Sequence, residues 1–167
     1  MNESKNKAII ENGDPKALYD LTEDELEYLM IDIWLYFTKK PYNELTEVQK
    51  TLFLAMTLEN VCQADTILNL YEYEDILNDL PSVSAALETL GAFKTAALFK
   101  EFISYIPEGT VLDTDSFFEF FIEDYEEEWE KANDEIGDYP DGHLMPLYIK
   151  YALRPENVGQ LLTGLHG

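Results

Sequence analysis

A run of acids with an apolar spine inside it constrains this chain more than any other feature. Between Asp113 and Asp141 stand thirteen carboxylates (Asp113, Asp115, Glu119, Glu123, Asp124, Glu126, Glu127, Glu128, Glu130, Asp134, Glu135, Asp138 and Asp141) and one base, Lys131, so this stretch carries 12 of the 23 net negative charges. A run of acids alone would stay solvated and disordered. Here Phe118, Phe121, Ile122, Tyr125, Trp129, Ala132 and Ile136 recur at steps of 3, 1, 3, 4, 3 and 4 residues, the period of one helix face. The spacing predicts one long helix, aromatic underneath and acidic above.

The rest of the 167-residue chain reads as helical as well. Residues 1–20 are a polar N-terminal arm with a short helical turn after Pro15, and residues 21–167 an all-α domain. Thr22 with Glu25 forms a capping-box pattern that opens a helix buried through Leu26, Leu29, Met30, Ile33, Trp34 and Phe37 and stopped by Pro41. Thr46 with Gln49 opens a second, which carries the lone cysteine, Cys62. The segment 64–73 is apolar enough to remain inside and helical. Pro81 starts a helix that Gly91 ends, and a helix over 93–106 follows almost at once, so the two form a tight hairpin. Asp113 or Asp115 caps the acidic helix, and shorter helices follow over 143–153 and from Pro155 to near Gly164. No alternating strand pattern of useful length occurs. The expected fold is a single-domain, all-α helical bundle of about six to eight helices.

Composition narrows the chemistry. With 34 acids against 11 bases, the surface repels nucleic acid and anionic membrane and attracts basic proteins and cations. One cysteine forms no intramolecular disulfide. The longest apolar run, 31–37, is too short to span a bilayer, and the N-terminus lacks the apolar core of a signal peptide; a cytoplasmic protein is expected. His143 and His166 are the only histidines and Arg154 the only arginine, and no phosphate loop, dinucleotide fingerprint or nucleophile motif occurs. Carboxylates on a solvated face keep low pKa values and make poor general acids. The expectation is therefore no enzyme, no catalytic residues and no cofactor. A metal-binding or enzymatic alternative rests on Glu135, Asp138, Asp141 and His143 around a turn, with oxygen donors suited to calcium or magnesium, although their spacing is not that of a calcium loop; no metal ligand is assigned.

The acidic face has a density that can be weighed. Nine acids fall within the 17 residues from Glu119 to Glu135, or roughly one per 3 Å of helix axis at about 1.5 Å rise per residue. A DNA strand carries one charge per about 3.4 Å. The price is repulsion: Glu119/Glu123, Glu123/Glu127, Asp124/Glu128, Glu126/Glu130 and Glu130/Asp134 are like-charge pairs four apart, together roughly 1–2.5 kcal/mol at low salt. Glu119, Glu123, Glu126, Glu127, Glu130 and Asp134 are the candidate partner-binding residues. A solvated acidic face, a surface for a basic protein, and an immunity- or antitoxin-type inhibitor of a basic toxin all fit this electrostatics.

Leu58-Glu59-Asn60-Val61-Cys62-Gln63-Ala64-Asp65-Thr66-Ile67-Leu68-Asn69-Leu70, then Ala86-Leu87-Glu88-Thr89-Leu90-Gly91-Ala92 and Thr95-Ala96-Ala97, resemble the DNA-mimic-protein family, a domain of otherwise unknown function. The resemblance covers roughly residues 45–153. Leu90 to Ala92 fits the family's Ile-Gly-Ala-like segment, while its Asn-Gly-Gly-Phe-like segment is degenerate here, with Gln63-Ala64-Asp65-Thr66 near that place. The resemblance implies an all-α fold, often dimeric. It also implies an acidic protein that imitates DNA and occupies the nucleic-acid-binding surface of a basic, DNA-binding protein, without itself touching nucleic acid or membrane.

Overall fold

A computed structural model describes residues 3–165; His166 lies outside them. The described residues form α1 (Glu3–Asn12), α2 (Pro15–Leu18), α3 (Glu23–Phe37), a 3-10 turn (Tyr42–Glu44), α4 (Glu47–Ala64), a 3-10 helix (Ile67–Glu72), α5 (Glu74–Leu77), α6 (Leu80–Leu90), α7 (Phe93–Ser104), α8 (Thr114–Asp124), α9 (Glu126–Gly137), α10 (Met145–Ala152) and α11 (Pro155–Leu162). No strand occurs among them, so the fold is all-α. Nine of the helices have seven residues or more. They group into two compact units: the chain up to Phe53 together with Met145 onward, and Leu54–Leu144.

In the first unit, local signals set the helix starts. Thr22 accepts from the Glu25 N–H while the Glu25 carboxylate accepts from the Thr22 N–H, closing the capping box of α3. Thr46 and Gln49 repeat the exchange at α4. The Gln49 amide also donates to the carbonyls of Leu161 and Thr163, so a cap residue ties α4 to the end of α11. Leu29, Met30, Ile33 and Phe37 are buried along α3. The segment read as a polar arm is taken up by α1 and α2, with Ile9 and Leu18 buried and Lys5 paired with Glu25 of α3 at 2.9 Å.

The second unit is built around the hairpin of α6 and α7. Gly91 ends α6 at φ 90°, a left-handed conformation that costs a glycine little. Phe99 and Phe102 of α7 are buried, and Phe102 stacks on Phe121 of α8 with centroids 4.4 Å apart. The segment after α4 is a 3-10 helix, held at its start by the Ile67 N–H donating to the Asn133 side chain of α9 at 2.8 Å.

The acidic stretch departs from the expected single helix. It is two helices, α8 and α9, parted at Tyr125 (φ −137°, ψ 40°). The hydrogen-bond ladder nearly survives: the Tyr125 N–H donates to the Phe121 carbonyl and the Trp129 N–H to the Tyr125 carbonyl, each at 3.1 Å. Two causes favour the break. It places Glu126, Glu127 and Glu128 in the first turn of a new helix, where the dipole stabilises negative charge, instead of in the middle of an old one. It also lets the Tyr125 ring stack against Phe120 at 5.0 Å and lie 5.3 Å from Tyr105, the residue that follows α7. The buried face shifts accordingly. Phe117 and Phe121 are fully buried in α8 and Ala132 and Ile136 in α9, whereas Phe118 and Ile122, expected inside, are 42% and 41% exposed.

Candidate functional site

The acidic surface sits on α8 and α9 of the second unit. Asp113 opens it: its carboxylate accepts from the Ser116 N–H at 2.8 Å while the Ser116 hydroxyl accepts from the Asp113 N–H at 2.9 Å. The Ser116 N–H and the Ser116 hydroxyl, both 2.8 Å from the carboxylate and able to donate to it, hold the Asp113 carboxyl below the usual carboxylate range. All six candidate partner residues, Glu119, Glu123, Glu126, Glu127, Glu130 and Asp134, are exposed, and no ion pair among the described residues engages any of them. Lys131 points elsewhere: its ammonium lies 3.9 Å from Glu101 of α7 and from Glu135. The bases nearest in sequence thus leave the outward acids uncompensated.

The break at Tyr125 changes the electrostatic argument. Of the five expected pairs, only Glu119/Glu123, Glu126/Glu130 and Glu130/Asp134 remain within one helix, because Glu123/Glu127 and Asp124/Glu128 straddle Tyr125; α8 adds Asp115/Glu119. The repulsive cost from such pairs falls to about 0.8–2 kcal/mol. A straight ridge from Glu119 to Glu135 is not formed. Within α9, however, Glu126, Glu127, Glu130 and Asp134 fall inside nine residues, about 12 Å of axis, so the exposed acids of this helix alone keep a mean spacing of about 4 Å, close to the roughly 3.4 Å of a DNA strand.

Charge is also divided unequally along the fold. Residues Leu54–Leu144 hold twenty-two acids against three bases, a net charge of −19, and the rest of the chain holds twelve acids against eight bases, a net of −4. Sequence order hides this partition, because the first unit is assembled from both ends of the chain.

The turn that carried the metal alternative is occupied by a structural task. Asp141 caps α7 from outside that helix. Its Oδ2 accepts from the Thr95 N–H at 2.7 Å and the Thr95 hydroxyl at 2.8 Å, and its Oδ1 accepts from the Lys94 N–H at 3.2 Å. The residue in the cap position of α7, Ala92, has no side-chain acceptor to offer. Tyr139, the one non-glycine with positive φ among the described residues (56°), aims its phenol at Glu59, and burial with the Glu59 charge and hydrogen bond raises its pKa. The Gly137 carbonyl accepts from the Gln63 amide at 2.7 Å. Asp138 and His143 are exposed, and the His143 ring lies 4.8 Å from that of Tyr139. Among the described residues no group of three or more His, Cys, Asp and Glu side chains is placed to hold a metal ion.

Cys62 is buried in α4. Burial, with Glu59 adding its charge, pushes the thiol up to about 12, so it sits in the fold as a small apolar group. No helix among the described residues is long and apolar enough to cross a membrane.

One feature of the surface was not signalled by the sequence stripe. Asp115, Phe118, Glu119, Ile122 and Glu123 follow one another at steps of 3, 1, 3 and 1 along α8, so apolar and acidic side chains share one outward face. Beside it Tyr71, of the 3-10 helix, meets the Phe118 ring edge-on with centroids 6.0 Å apart. Tyr71, Thr114, Asp115, Phe118 and Glu119 line an open groove of about 450 Å³.

No curated protein and no solved structure matches this chain. The profile of the family described as DMP19-like protein matches residues 43–154, a span that takes in the whole second unit with its acidic face, the capped α7 and the α6–α7 hairpin, and on that match the chain belongs to the DMP19-like protein family.

Proposed function

We propose that this chain is a non-catalytic protein-binding module that imitates the charge of DNA and occupies the nucleic-acid-binding surface of a basic, DNA-binding protein. The observation that carries the reading is the outward row of α9: Glu126, Glu127, Glu130 and Asp134 are exposed, unpaired and spaced like the charges of a nucleic-acid strand. Glu119 and Glu123 of α8 extend the surface. Membership of the DMP19-like protein family supports it, as does the net −19 of the unit that carries the face. A basic partner would exchange its contacts with phosphates for contacts with carboxylates and release the same bound salt ions, so the complex weakens steeply as salt rises.

The experiment is displacement from DNA. Basic proteins of the native cell are retained on a duplex-DNA matrix at low salt, and the matrix is washed with this chain or with a variant in which Glu126, Glu127, Glu130 and Asp134 are changed to Gln or Asn. The reading expects a discrete protein to leave the matrix with the unaltered chain and to stay with the variant, with the effect fading as salt is raised. Equal release by both, or release by neither, would refute it.

A further inference from the structure

We propose that the mixed face of α8 docks a basic amphipathic helix, whose aliphatic side chains seat on Phe118 and Ile122 and in the groove beside Tyr71 while its Lys and Arg side chains meet Asp115, Glu119 and Glu123. The inference rests on the reading of Glu119 and Glu123 as partner contacts and adds to it an apolar anchor, which imitation of a DNA backbone does not require. Single exposed apolar side chains are ordinary on protein surfaces. Here two large ones, 42% and 41% exposed, stand one turn apart on the same helix face and adjoin an aromatic-walled groove. A line of this kind, about 12 Å from Asp115 to Glu123, matches two turns of a partner helix laying one face down.

Charge decides the occupant. The sequence has no Lys or Arg between Lys50 and Lys94, nor between Lys100 and Lys131. The 3-10 helix and α8, which frame the groove, therefore offer acids alone. A second copy laid on this face would set Asp115, Glu119 and Glu123 against the same acids with no base to pair them, and a neutral apolar segment would leave those carboxylates desolvated without compensation. A helix bearing bases on the flanks of an aliphatic stripe satisfies both halves of the surface. Such a partner binds through two separable contributions, one screened by salt and one not.

The test uses the full chain and two synthetic peptides of equal length and equal Lys content, one with a Leu stripe at helical spacing and one with each Leu replaced by Gln, with binding followed by fluorescence anisotropy across a salt series. The unaltered chain should prefer the Leu peptide by about tenfold or more, and the preference should persist at salt that weakens both complexes. Phe118→Ser with Ile122→Ser, or the milder Ile122→Gln alone should the double variant lose its helical circular dichroism, should shrink the preference while leaving the salt slope unchanged. Glu119→Gln with Glu123→Gln should weaken both peptides and flatten the slope. Tyr28→Ser with Leu35→Ser, on the exposed apolar side of α3, should change nothing. Equal, salt-sensitive binding of both peptides would overturn the inference and leave the acidic-face reading standing. Binding of neither peptide at low salt would overturn both. A preference removed by the α3 substitutions, or a self-associated chain that Phe118→Ser with Ile122→Ser makes monomeric, would also overturn it.

Discussion

Replacing Asp141 with Ala should destabilise the fold, although it removes a negative charge from a unit that carries a net −19. Relief of like-charge repulsion predicts the opposite sign, so the two accounts separate cleanly. The structure supplies the magnitude. Asp141 receives three hydrogen bonds at the start of α7, two of them from Thr95, which is 1% exposed. Water cannot reach the Thr95 N–H and hydroxyl when the carboxylate is gone, and each unsatisfied buried group costs about 1–3 kcal/mol. The exposed Lys94 N–H recovers its partner from solvent. Loss of a helix cap by itself is worth about 0.5–2 kcal/mol. These descriptions overlap and do not add, and together they set the expected loss at about 2–4 kcal/mol. At about 2–4 °C per kcal/mol for a chain of this size, the melting temperature should fall by roughly 4–16 °C. Asp141→Asn keeps an acceptor oxygen but loses the charge, and should fall about halfway. Asp138→Asn, which removes the same charge three residues away at an exposed side chain, is the control and should stay within about 0.5 kcal/mol. Urea denaturation with unchanged slope is the assay. If Asp141→Ala falls within about 0.5 kcal/mol of the Asp138 control, the cap is not holding α7 and the reasoning fails.

Four further outcomes follow from the same geometry. Thermal stability should rise with added monovalent salt, because the four intrahelical like-charge pairs of α8 and α9 cost about 0.8–2 kcal/mol unscreened; a flat or falling melting temperature counts against that repulsion. Cys62, with its thiol pushed up to about 12, should resist a thiol reagent in the folded chain and react on unfolding. Because the folded value is raised, its contribution to stability is complete below the unfolded thiol value and is lost as pH climbs towards the folded one, which native labelling against pH would reveal. Asp113 behaves in the opposite sense: its lowered value contributes stability that is present above the unfolded carboxylate value and lost as pH falls through the folded one, so the gap in urea midpoint between the unaltered chain and Asp113→Asn should close in acid. Calorimetry with calcium or manganese should show no stoichiometric site at the turn 138–143, since both Asp141 oxygens already accept hydrogen bonds; a tight, saturable event would return the turn to metal chemistry.

What could be read from sequence was local, and what could not was tertiary. The boxes at Thr22/Glu25 and Thr46/Gln49 and the stop at Gly91 are contacts within one turn of chain, and the structure forms all three. The six candidate acids are exposed as the helical period requires. The interruption at Tyr125 was hidden because it uses neither Pro nor Gly. Phe117, Phe118, Phe120 and Phe121 surround α8 with aromatic side chains, so periodicity could not choose which face goes inside. The choice is made by Phe102 of α7, which lies against Phe117 and Phe121, a contact across separate helices that no local pattern encodes. Asp141 was singled out for its charge and its neighbours in sequence. Its actual partners, Lys94 and Thr95, lie more than forty residues away, and the signal that could have pointed there was the absence of a capping side chain at Ala92.

The unequal division of charge between the two units has a kinetic consequence. A basic molecule diffusing in water is drawn towards the −19 unit over distances set by the ionic atmosphere, about 10 Å at moderate salt, before any side chain touches. The −4 remainder exerts far less pull, so first encounters are biased towards one part of the chain. Salt should then act mainly on how fast a basic partner arrives, while substitutions at the contacts themselves act on how long it stays.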